Sequence, residues 1–185
     1  MAEFAAHALV VGGTGMLAPL VRSLAGSGWR VSVIARRASA FVRREPGLVG
    51  LDCNYNDAEA FASTIDRARD GEGPIMLAVG WFHTPGPSSV VAPRMGVPGA
   101  PGRFFHVLGS AAADPSDPAA LARAAKTAEG ASWCAYRQVV LGFVPGETGA
   151  RWLTNAEISD GVLAAIDTDA PLSTVGVTRP WNAKP

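Results

Sequence analysis

Residues 10–18 read VVGGTGMLA, an apolar run that breaks into glycines and resumes in residues suited to a helix start. Gly12, Gly15 and Ala18 fall at the spacing G-x-x-G-x-x-A, between a strand expected over 7–12 and a helix expected from Gly15 to about Gly26. A tight turn needs Gly12, and close approach of a pyrophosphate needs the missing side chain at Gly15. A small residue at 18 lets helix and strand pack closely. The free amides of the helix start, at the positive end of its dipole, then face an anion. Gly12, Gly13, Thr14, Gly15, Met16 and Leu17 are the expected cradle for it.

Working outward, β-branched runs alternate with alanine-rich segments of helical length. Strands are expected over 29–36, 48–52, 74–80 and 103–109, within 132–144, and over 172–177. Between them, a short basic helix should end at Arg44. Asn56 should cap a helix with Glu59 as its capping-box partner, running to about Arg69. Asp117, followed by Pro118, should cap a helix ending near Gly130. Thr154, with Glu157 three residues on, should cap one running through Asp167. Near-continuous apolar strands separated by amphipathic helices predict an α/β fold, a doubly wound parallel sheet (Rossmann-like) of about seven strands in a single domain over 1–185.

The 185 residues are 48% hydrophobic and 17% charged, with 16 basic and 16 acidic side chains and no net charge. That balance leaves no global field to attract nucleic acid or anionic lipid. Cys53 and Cys134 belong to no metal-binding or disulfide pattern, which predicts a reducing compartment and no metal. The N-terminal run lacks a basic leader and reads as a first strand. No apolar stretch approaches the ~20 residues of a membrane span. A cytoplasmic protein with a small-molecule substrate is expected.

Residues 81–102 depart from the pattern, with five prolines and four glycines between two strands. A full helix is not expected there, though a short one around Ser88–Met95 fits. Following a strand's C-terminal end, the segment reads as a substrate flap or as a degenerate crossover.

The second strand ends Ile34-Ala35-Arg36-Arg37, without the carboxylate that suits an unphosphorylated ribose. Two guanidiniums suit a 2′-phosphate, so NADP(H) is the expected cofactor. Asp52, ending the third strand, is placed to accept from an adenine amino group or to serve as a cap, with Cys53 beside it.

Taken together, these residues resemble the short-chain dehydrogenase/reductase superfamily. GGTGML (12–17) is similar to its glycine motif, and ARR (35–37) to its NADP-preferring form. LDCN (51–54) is similar to its adenine-contacting acid position, and AVG (78–80), with Val79 and Gly80, to its fourth-strand motif. Ser110 matches the family's active-site serine. The resemblance implies an NADP-dependent oxidoreductase that assembles as a dimer or tetramer. The family's Tyr-x-x-x-Lys signature is absent, because the helix expected over 117–130 contains no tyrosine.

Without that acid, reduction of an iminium, which already carries positive charge, suits the site somewhat better than reduction of a plain ketone. Candidate catalytic residues are Ser110, His83 in the loop after strand four, and Tyr136 at the start of strand six. Trp81 is either a pocket wall or a seal of the sheet end, and His106 reads as a core histidine. The expected function is an NADPH-dependent reductase acting on C=N or C=O, with an activated C=C as a further acceptor. The alternative is a non-catalytic NADP(H)-binding sensor or scaffold.

Overall fold

Side chains from Ala8 to Val11 are shut off from solvent, which requires a strand with neighbours on both edges and cover on both faces. The computed structural model describes residues 6–43, 45–147 and 149–185. The chain runs β1 (Ala6–Val11), α1 (Ala18–Gly26), β2 (Trp29–Ala35), α2 (Ala38–Phe41), β3 (Leu48–Asp52), α3 (Ala58–Glu72), β4 (Ile75–Trp81), α4 (Ser88–Val91), β5 (Gly102–Leu108), α5 (Ala120–Ala125), β6 (Cys134–Leu141), β7 (Phe143–Val144), β8 (Arg151–Trp152), α6 (Asn155–Thr168) and β9 (Leu172–Val175). Residues 1–5 of the domain expected over 1–185 and the helix end expected at Arg44 lie outside the described residues.

Seven strands form one parallel sheet in the order β3-β2-β1-β4-β5-β6-β9. This is the doubly wound α/β architecture expected. Alternate residues of each strand feed two cores. Val10 and Phe105 join Leu20 and Val21 of α1 and Val162 of α6. Leu9 and Phe104 join Phe61 and Ile65 of α3 and Val91 of α4 on the other face. The chain winds outward from β1 to β3 in one direction and from β4 to β9 in the other, so a crevice opens at the strand tips between β1 and β4. β7 and β8 add a small antiparallel pair after β6.

Three local expectations are corrected. Asp57 rather than Asn56 caps α3, its carboxylate accepting from the Ala60 amide at 3.0 Å. The Asn56 side-chain oxygen Oδ1 already accepts from the Thr84 hydroxyl at 2.7 Å. Asp117 does not cap a long helix, because its carboxylate holds the Arg123 guanidinium. α5 is cut to six residues, followed by one 3₁₀ turn over Lys126–Ala128. The last strand stops at Val175, where Gly176 turns the chain with φ 73°.

In the segment 81–102, the short helix expected around Ser88–Met95 is present as α4 and a 3₁₀ turn over Ala92–Arg94. Val91, Ala92 and Met95 are buried in the second core, and the Gly96 amide donates to the Ile75 carbonyl at 2.9 Å. These contacts bind 88–96 to the sheet face, and the cleft borders residues 81–83.

Candidate functional site

The corner between β1 and α1 divides its work among its glycines. Gly12 has φ 79°, and its amide donates to the Ile34 carbonyl at 3.0 Å, turning the chain sharply off β1. A Cβ on Gly13 would stand 2.9–3.2 Å from methyls of Val21, Val10 and Val33. Gly13 therefore lets helix and strand pack closely. A Cβ on Gly15 would meet nothing within 4 Å. α1 begins with a proline in its first turn, without an acidic residue or a side-chain cap, so no side chain claims its leading amides. From α6, the Ser159 hydroxyl donates to the Met16 carbonyl at 3.0 Å and braces the corner.

This corner opens on a cleft of about 800 Å³ along the strand tips. Of the expected cradle, Gly12, Thr14, Gly15 and Met16 line it, whereas Gly13 and Leu17 are buried beneath. Ala35, Arg36 and Arg37 line it from the exit of β2, with both arginines exposed. The exit of β3 contributes Asn54, Tyr55 and Asn56, and that of β4 contributes Trp81 and His83. The arginines and the open glycine thus share one cavity of small-ligand size.

Asp52 and Cys53 sit just behind this rim. The Asp52 carboxylate accepts from the Ser39 hydroxyl at 2.6 Å and the Ser39 amide at 2.8 Å. These bonds hold its pKa below the ordinary carboxylate range and pin α2 to β3. Cys53 is buried, its amide bonded to the Ala35 carbonyl at 3.0 Å. A cleft-lining role for Asn54, Tyr55 and Asn56 was not expected, Asn56 being read as a cap and Asn54 only as part of LDCN; its signal was their place immediately beyond a strand's C-terminal end. Val79 is fully buried, and a Cβ on Gly80 would stand 2.5 Å from the Phe82 ring, so that glycine makes room for an aromatic side chain.

The rim after β3 is stitched to the rim after β4. The His83 amide donates to the Tyr55 hydroxyl at 3.3 Å, beside the Thr84–Asn56 bond. Tyr55, Phe61 and Phe82 pack edge to face beneath. His83 is exposed, its ring perpendicular to that of Trp81 with centroids 5.6 Å apart.

Ser110 opens a one-turn 3₁₀ helix after β5, outside the residues that line the cleft. Tyr136 lies in β6 against the second core. Its hydroxyl donates to the Ala124 carbonyl at 3.0 Å and lies 2.7 Å from His106 Nδ1. Burial raises the Tyr136 pKa and holds His106 at about 4. Among the described residues no helix is long and apolar enough to cross a membrane, and no His/Cys/Asp/Glu group would hold a metal.

No protein-family model and no curated protein matches the sequence. Solved structures do match in fold. A short-chain dehydrogenase from Burkholderia cenocepacia in complex with NADP has 22% identity and a TM-score of 0.68, over 96% of this chain and 90% of that one. A short-chain dehydrogenase/reductase from Serratia marcescens has 18% identity and a TM-score of 0.69, over 95% and 98%. A metagenomic short-chain oxidoreductase in complex with NADP has 18% identity and a TM-score of 0.64, over 96% and 98%. The strand order, the glycine corner and these likenesses together give the chain the fold of the short-chain dehydrogenase/reductases.

Proposed function

We propose that the protein is an NADPH-dependent reductase that transfers a hydride to a small organic substrate at a C=N or C=O bond. The supporting observation is the single cleft that joins the open Gly15 corner to Arg36 and Arg37. The amides around Thr14–Met16 would hold the diphosphate, favoured by the helix dipole, with Gly12 shaping the turn beneath it. Arg36 and Arg37 would hold the 2′-phosphate in charge-assisted hydrogen bonds. Asp52 and Cys53 would back the adenine side, and Val79 and Gly80 the floor. Similar folds carrying NADP lend support.

When bound, NADPH supplies the hydride. His83, on the cleft wall, would give the proton that completes a reduced carbonyl, and Ser110 would hold the substrate beyond Trp81. Tyr136 would support this end of the sheet through His106 and Ala124. The same reading expects a cytoplasmic homo-oligomer, a dimer or tetramer.

Titration with NADPH and NADH, read by tryptophan quenching, tests the cofactor. NADPH should bind at least about tenfold tighter; equal affinities would remove the arginine assignment. NADPH oxidation across a panel of imines and ketones tests the chemistry. A second reading, a non-catalytic NADP(H)-binding sensor or scaffold, draws on the bonds that already occupy the Tyr136 hydroxyl and on the missing tyrosine of α5. It expects cofactor binding without turnover on any member of the panel.

A further inference from the structure

The Trp81 side chain lies along the row of strand tips. A Cβ on Gly12, at the end of β1, would stand 3.8 Å from its Cδ1. A Cβ on Gly109, at the end of β5, would stand 3.5 Å from its Cη2. Those atoms are opposite ends of an indole, so the ring spans from the first strand's tip to the fifth's. Trp81 also lines the same cleft as the glycine corner and the arginines.

On the nucleotide reading above, the cofactor's phosphorylated ribose lies at Arg36 and Arg37 and its diphosphate at the corner beside Gly12. The next unit of the ligand continues past β1 onto the tip of β4, because Val11 pairs with Gly80 and the following residue there is Trp81. The aromatic surface awaiting the second ring is therefore the indole. We propose that Trp81 is the face on which the nicotinamide end packs, and that it favours the oxidised ring over the reduced one. The oxidised pyridinium is a cation, and tryptophan is the best cation–π acceptor among side chains. The dihydropyridine is neutral and gains only dispersion and stacking. This selectivity makes the site sensitive to the oxidised fraction of the cofactor pool.

Calorimetric titration of the parent, Trp81→Leu and Trp81→Phe with NADP⁺, NADPH and adenosine 2′,5′-bisphosphate tests the assignment. The bisphosphate carries the arginine-binding portion but no nicotinamide. The ratio of NADP⁺ to NADPH affinity should fall by about threefold to tenfold in Trp81→Leu and recover in part in Trp81→Phe. Affinity for the bisphosphate should be the same in all three proteins, which also shows that the variants fold. An unchanged ratio, or tighter NADP⁺ binding once the indole is removed, overturns the proposal while leaving the nucleotide site in place. Failure of the parent to bind any of the three ligands at millimolar concentration overturns the nucleotide reading, and this inference with it.

Discussion

A Cβ at Gly13 would stand 2.9 Å from a Val21 methyl, whereas one at Gly15 would meet nothing within 4 Å. The two positions therefore separate packing from ligand access. Gly13→Ala should lower stability by about 1–3 kcal/mol through overpacking, measured by urea unfolding. Gly15→Val should leave the unfolding midpoint within about 0.5 kcal/mol of the parent's, yet weaken NADPH binding at least tenfold by filling the space the diphosphate would need. Arg36→Ala combined with Arg37→Ala should cut the NADPH-over-NADH preference by about tenfold or more, with unchanged melting, since both side chains are exposed. The motif revealed that this corner is special, because G-x-x-G-x-x-A has a local geometric meaning. It did not reveal which glycine packs and which opens, since that depends on Val21 and Val33, brought in by α1 and β2. For the same reason Asp52 drew attention ahead of Asn54: only the fold shows Ser39 closing on its carboxylate.

At the level of elements, the cap of α6 was legible and that of α3 was not. Thr154 and Glu157 make a reciprocal capping box, the Thr154 amide donating to the Glu157 carboxylate at 2.8 Å and the Glu157 amide to the Thr154 hydroxyl at 3.2 Å. Both partners lie within one turn, so sequence spacing suffices. Asn56 is drawn away by Thr84, 28 residues distant, and no local pattern records that. Thr154→Ala should cost about 1 kcal/mol in urea unfolding, a loss that cofactor titrations should not register. The seven strands of the parallel sheet were read to within a residue or two because apolar runs look the same wherever they pair, whereas the short β7–β8 pair was not expected. The helices after β4 and β5 were harder, since proline, glycine and a competing ion pair shorten them.

For the molecule as a whole, two buried histidines lower stability as pH falls below neutrality, before the carboxylates begin to titrate. Burial holds His106 at about 4 and lowers His7 from its ordinary 6.5. Unfolded, both take up protons near pH 6.5. Between that value and about pH 4 the unfolded chain binds protons that the folded chain excludes, so stability falls as pH drops through this window. His106 alone accounts for roughly 3 kcal/mol of that loss. His106→Phe should flatten the decline between pH 7 and 4.5, measured by urea midpoints, and an equal slope in the variant would remove the assignment. The Ser159–Met16 bond works on the same scale, joining residues 143 positions apart. The corner emerges from a ribosome 143 residues ahead of its brace. Newly synthesised chains should therefore gain their ligand-ready shape late, and a truncation before α6 should leave an intact motif on an unsupported loop.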